Sequence, residues 1–454
     1  MAEERTGRAA RLGGPSTLVD VVAAQKRGES RGIWSCCSVH PDVVDTALRT
    51  ARELDTPVLV EATSNQVNQD GGYTGVTPAE FAGALSEGAQ AAGLSPSRVL
   101  FGGDHLGPHP WQDEPAERAM AKAREMVAEY ARAGAVKIHL DASMRLGDDP
   151  PGALDEEAAS ARTAELAEAA EGARPEGAEP PVYVIGTEVP VPGGETSEDA
   201  RPEVTRPEDA ARTIALTRAT FRSRGLDEAW ERVVGLVVQP GVEFGERRVH
   251  EYDPDAARAL ATFIEGVPGI VYEAHSTDYQ SSDALRALVR DHFAILKVGP
   301  ALTFAWREAV FALAAIEQEW LGGRAAVTLS RLPETVDEVM RSDPVHWQGY
   351  YRGDEAELRF ARRFSLSDRI RYYWPRPEVK AALGRLLANL ETHPAPLPLL
   401  SQHLPGPHRA VREGRIARNP RELVRFRVRE VIECYARACG GPQAGSLESN
   451  GAEQ

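Results

Sequence analysis

The sequence is poor in cysteine, with four in 454 residues: Cys36 and Cys37 are adjacent, and Cys434 and Cys439 lie far along the chain. No C-x-x-C spacing occurs, which argues against a zinc ribbon, a thioredoxin-type redox motif or a disulfide scaffold. The thiols read as reduced, small apolar fillers. No apolar run approaches the roughly 20 residues a membrane helix needs. The first residues, MAEERTGRAARLGG, carry charge but not the apolar stretch of a secretory signal. The expectation is a cytoplasmic protein with no membrane partner. Bases are also scarce, 52 Lys and Arg against 68 Asp and Glu, for a net charge of −16. That leaves no broad basic face for a phosphodiester backbone, so no nucleic-acid partner is expected. A few Arg and Lys gathered around a phosphorylated metabolite remain compatible with it.

What the sequence has instead is a recurring apolar segment. Eight occur, at residues 32–39, 57–64, 99–106, 135–143, 182–189, 233–241, 270–277 and 293–300, each followed by a stretch of helical character. Near-continuous Val, Ile and Leu marks parallel strands buried on both faces, and alternation with helices marks βα units. Eight units in about 270 residues predict an α/β fold, a (β/α)8 TIM barrel, whose usual size is about 250 residues. The phosphate-binding G-x-G-x-x-G of an open dinucleotide-binding sheet is absent. The expected organisation is a flexible tail over 1–17, the barrel over 18–319, a helical C-terminal extension over 320–440 and a disordered tail over 441–454. The stretch 145–180, rich in Asp, Glu, Ala, Gly and Pro, reads as an insertion after the fourth strand with one helix near 153–172.

A barrel gathers its active site at the C-terminal ends of its strands. Each segment has polar candidates there: Ser38 with His40, Glu61, Asp104 with His105, His139 with Asp141, Glu188, Gln239, Glu273 with His275, and Lys297. Residues two apart share a strand face, so His139 and Asp141, and Glu273 and His275, can both aim at the mouth. Neighbours such as Asp104 and His105 point to opposite faces unless the strand distorts, and Gly102 and Gly103 before them are the expected cause. Histidines among carboxylates suggest a divalent metal, with zinc favoured. The ligands expected are His105, His275 and Glu188; histidines that only hydrogen-bond are the alternative. Lys297 admits either a Schiff base or simple anion binding, the surrounding carboxylates disfavouring the first. Glycine-rich loops at 68–78 and 191–195 can approach a ligand or serve as turns. SLSDRIRYYWP, 365–375, offers Arg369 and Arg371 for a phosphate and three aromatics for packing.

Several long stretches carry a resemblance: VEATSNQVNQDGGYTGVTP, GGDHLGP, KIHLDAS, YVIGTEVPVPGGE, VVQPGVEF, VYEAHSTDYQ, HFAILKVGPALTF and SLSDRIRYYWP. From about residue 18 to about residue 435 the chain resembles the Z-type subunit family of class II D-tagatose-1,6-bisphosphate aldolase. The resemblance implies a barrel acting on ketohexose phosphates and a partner, because the Z-type subunit is described as supporting a separate catalytic Y-type subunit. Catalytic class II aldolases are similar more distantly. Their Asp-His pair after strand three corresponds to Asp104-His105 and their strand-seven metal histidine to His275, while their strand-five histidine falls where this chain has Glu188. Some proteins similar to the family interconvert fructose 6-phosphate and tagatose 6-phosphate. On that reading Asp104 or Glu273 takes the C4 hydroxyl proton, and Glu61, His139, Asp141, Gln239, Ser276, Asp278 and Lys297 bind substrate. Two functions stay open, a metal-dependent 4-epimerase and a supporting subunit without chemistry of its own. Self-association is left open as well.

Overall fold

Eight extended segments pair in parallel and close on themselves: β1 (Ile33–Cys36), β2 (Val58–Thr63), β3 (Val99–Leu106), β4 (Lys137–Leu140), β5 (Val182–Gly186), β6 (Val233–Val237), β7 (Val271–Ala274) and β8 (Phe293–Val298). The computed structural model describes residues 12–152, 154–186 and 201–441. Expectations that fall on residues 187–200, which include Glu188 and the loop 191–195, lie outside the described residues. So do both extreme tails.

The closure joins β1 to β8, with Ser35 opposite Lys297 and Cys36 opposite Val298. Strands buried on both faces need helices outside, and each crossover supplies one. Local sequence sets where these begin: Pro78–Ala92 starts with a reciprocal Thr77–Glu80 capping box and Pro78 in its first turn, and it stops at Gly93, φ +71°. The residues 145–180 are not an insertion added to this scheme. Their helix, Glu156–Ala173, is the β4-to-β5 crossover itself, packed between Ala116–Arg132 and Pro207–Ser223. Parallel strands cannot be joined without such a crossover.

The barrel interior is layered. At the bottom, Ile33, Leu59, Leu100, Val184, Val271 and Ile295 form an apolar plug with Leu18, Val21 and Val22 of the helix Ser16–Lys26. The plug holds this first helix in place: burying Leu18 and Val21 contributes about 1.5–3 kcal/mol each, and ahead of it Gly13 N–H donates to the Val99 carbonyl at 2.8 Å. The C-terminal part is helical, from Leu332–Ser342 to Pro420–Ala438, and begins beyond the eighth barrel helix, Pro300–Leu321. It shares one apolar core with the barrel's outer ring, through Val428, Ile432 and Tyr435. It also ties down the loop after β7: Tyr435 Oη donates to the Thr277 carbonyl at 2.6 Å, and Tyr279 Oη donates to the Leu366 carbonyl at 2.6 Å. Among the described residues no helix is long and apolar enough to cross a membrane.

Candidate metal centre

Above the apolar plug the barrel interior turns ionic. Lys137 Nζ lies 2.6 Å from Glu61 Oε1 and 2.7 Å from Glu273 Oε2, with all three side chains fully buried. Lys297 Nζ pairs with Glu61 and, at 3.0 Å, with Asp104, while Ser35 Oγ donates to Glu61 at 2.5 Å. Gly102 makes room for this layer, since a Cβ there would stand 3.0 Å from Glu61 Cγ and 3.1 Å from the Lys137 carbonyl oxygen. Lys137 and Ser35 were not among the expected site residues. The signal for Lys137 was present: it is two residues before His139 and therefore shares its inward face.

On this layer stand Asp104, His105, His139 and His275, each offering a ligand atom within 4.8 Å of the others. Asp104 and His105 converge through a bulge. β3 runs in register with β4 at Gly103–Ile138, then takes an extra residue before Leu106 pairs with Leu140. The turning residue is His105, at φ +47°, and not the glycines. Gly103 contributes by leaving space for Leu106, whose side chain folds back to within 2.3 Å of where a Cβ would be.

Donor geometry fixes several protons. The backbone N–H of His105 donates to His139 Nδ1 at 3.2 Å, so that nitrogen is an acceptor and Nε2–H faces the Gly186 carbonyl at 2.9 Å. Burial opposes ionisation of Asp104, but Lys297 and His105 outweigh it and hold the carboxyl well below the usual range. For Glu273 burial is likewise outweighed, by Lys137 and Lys297. Both groups are therefore acceptors. His275 Nε2–H donates to Glu273 Oε1 at 2.9 Å, and His105 Nδ1–H points to Asp104 Oδ1 at 3.1 Å. The two remaining nitrogens, His275 Nδ1 and His105 Nε2, then face each other at 3.0 Å. Two lone pairs cannot hold that separation unless a proton or a cation lies with them. Imidazoles whose outer N–H is bound by a carboxylate or a carbonyl are oriented as metal ligands are. The donor set of three imidazoles beside a carboxylate fits a divalent ion of zinc type.

The other expected residues are distributed differently. Glu61 sits in the ionic layer beneath the mouth. Asp141 Oδ1 accepts from Ser143 Oγ at 2.6 Å, and Gln239 Oε1 accepts from the Gly241 and Val242 amides at 2.8 and 3.0 Å, so both brace their own loops. Asp278 Oδ1 accepts from the Gly299 and Ala301 amides at 3.0 and 2.7 Å, capping the start of Pro300–Leu321. Ser276, at φ +51°, keeps a buried Oγ with no hydrogen-bond partner among the described residues. Burial would depress Lys297, but Asp104, Cys37, Glu273 and Glu61 raise it well above the ordinary lysine value. It stays a cation and not a Schiff-base nucleophile. Arg371 donates to the Ser367 carbonyl at 2.5 Å and to Tyr372 Oη at 3.0 Å, and Trp374 packs edge-on against Trp306.

Residues 18–440 match the family of D-tagatose-1,6-bisphosphate aldolase subunit GatZ/KbaZ-like proteins. The chain belongs to this family. It is 48% identical over 428 residues to the D-tagatose-1,6-bisphosphate aldolase subunit GatZ of Klebsiella pneumoniae subsp. pneumoniae, covering 94% of this chain and 100% of that one. It is 49% identical over 423 residues to the GatZ subunit of Salmonella dublin, covering 93% and 99%. A crystal structure described as that of "a probable tagatose 6 phosphate kinase from Sinorhizobium meliloti 1021" superposes with a TM-score of 0.83 at 46% identity, covering 90% of this chain and all of that one. The GatZ/KbaZ-like stretch spans the barrel and the C-terminal helices alike, so both belong to the family's common architecture.

Proposed function

We propose that the chain binds a divalent metal, zinc by its donor set, through His105, His139 and His275, and interconverts tagatose 6-phosphate and fructose 6-phosphate by opening and re-forming the C3–C4 bond. The observation that carries this reading is the facing pair of imidazole nitrogens at 3.0 Å, each backed by a carboxylate. His139 is preferred to Glu188 as third ligand because its Nδ1 lies in the cluster and its Nε2–H is anchored on Gly186; the one lone pair of Nδ1 accepts the His105 amide at 3.2 Å, a contact that a bound ion would displace. A divalent ion bound there supplies Lewis acidity toward the C2 carbonyl.

The protein's own groups divide the remaining work. Glu273 has both oxygens tied, to His275 and Lys137, and orients a ligand. Asp104 meets His105, His139 and Lys297 through Oδ1 and is the carboxylate within the histidine cluster itself, so Asp104 is the base for the C4 hydroxyl proton. Inversion requires the aldehyde half to turn before the bond re-forms, and the loop 68–78 is built to retain it. Asn68 Oδ1 accepts from the Asp70 and Gly72 amides at 2.9 Å each, and Tyr73 packs edge-on against Tyr372. A sugar-phosphate substrate goes with a cytoplasmic location.

The relatives are named as subunits of an aldolase, which favours a second reading: this chain supports the activity and stability of a Y-type partner. Metal content separates the ligand assignments. The purified chain should carry about one zinc, and His105→Ala, His139→Ala and His275→Ala should each weaken binding at least about 10-fold to 100-fold, while Glu188→Gln retains it. Full zinc occupancy in His139→Ala would remove His139 from the centre. If a cognate Y-type aldolase is equally active and stable without this chain, the supporting role fails.

A further inference from the structure

A cavity of about 1290 Å³ lies outside the barrel, between Pro300–Leu321 and the C-terminal helices, and no residue of the mouth lines it. Five arginines do: Arg307, Arg331, Arg363, Arg409 and Arg427. Of the lining carboxylates, Glu308 and Glu430 are both taken by Arg427, and Glu317 is taken by Ser330 and Asn389. Among the described residues Arg307, Arg331, Arg363 and Arg409 have no hydrogen bond or ion pair through their side chains; Glu334 is the remaining lining carboxylate, and Asp368 and Asp337 act on Arg307 and Arg363 only from a distance. In a chain of net charge −16 this is an unusual concentration of unspent cations.

Arg307 is the telling member. It is 3% exposed, and among the described residues its buried Nε has no hydrogen-bond partner. Three rings hold it in place, with the guanidinium 4.0 Å from the Phe304 centroid, 5.6 Å from Phe311 and 5.5 Å from Phe364. Ring faces offset part of the cost of burying a cation but accept none of its five N–H donors. Arg363 repeats the arrangement, stacked on Phe311 and Phe364 with its Nε also buried and unpaired. Such planar, pre-oriented forks match phosphate oxygens.

We propose that this cavity binds a small anion carrying two or more phosphate groups, with Arg307 as its buried anchor and Arg331, Arg363 and Arg409 closing on it. The volume exceeds what one phosphate needs, and the apolar walls at Phe311 and Leu404 suit an organic body. The site is independent of the chemistry at the mouth.

Titration calorimetry of the full chain with inorganic pyrophosphate tests this. One pyrophosphate should bind per chain, weakened about tenfold or more in Arg307→Met and in the exposed variant Arg409→Met, and unchanged in His105→Ala. Absence of saturable binding, or binding that survives both arginine substitutions and disappears in His105→Ala, overturns the proposal.

Discussion

Lys137 Nζ sits between Glu61 and Glu273 with no access to water, so each of the three charges depends on the others. Removing one partner of a buried ion network leaves uncompensated charge, which costs about 3–5 kcal/mol. Lys137→Met is therefore expected to lower stability by that order in denaturant titration, and a loss below about 1 kcal/mol would contradict the account. At this scale the sequence was partly readable. Asp104, His105, Glu273, His275 and Lys297 could be placed from their strand-end positions, and Lys137 could have been, by its spacing from His139. The roles could not. That His139 presents Nδ1 to the cluster follows from the His105 amide and the Gly186 carbonyl, two backbone groups whose directions no side-chain pattern reveals.

The elements that aim these residues are a bulged strand and a capped helix. Asp278 joins the end of β7 to the start of Pro300–Leu321 through two amides, but burial pushes its carboxyl up to about 6 from 3.8. A folded-state value above the unfolded one means that the native protein holds the proton more tightly. The stability this gives is full below about 4 and is lost as the pH rises through about 6. Asp278→Asn keeps an acceptor without the charge, so it should flatten that part of the thermal stability profile between pH 4 and 7. Asp278→Ala should cost a further ~1–2 kcal/mol by leaving the helix start uncapped. An unchanged pH slope in Asp278→Asn would refute the role. The strands were legible because parallel strands buried on both faces read as apolar runs. The fourth crossover was misread because Glu156–Ala173 is flanked by Pro- and Gly-containing stretches that look like a linker. Similarly, the glycines of GGDHLGP are what the sequence offers for the turn, whereas the left-handed residue is His105.

For the whole molecule, an apolar plug at the bottom, an ionic layer above it and imidazoles at the mouth form one graded interior, with the C-terminal helices clamping the β7 loop from outside. A subunit that only supports a partner has no physical need for three clustered histidines, two of them backed by carboxylates and the third by the Gly186 carbonyl. The direct test is to incubate the purified, zinc-loaded chain alone with fructose 6-phosphate and assay tagatose 6-phosphate, with and without chelator. The account predicts product that disappears with the chelator, returns with zinc and is lost in Asp104→Asn at unchanged zinc content. No product from the folded, zinc-loaded chain would contradict it.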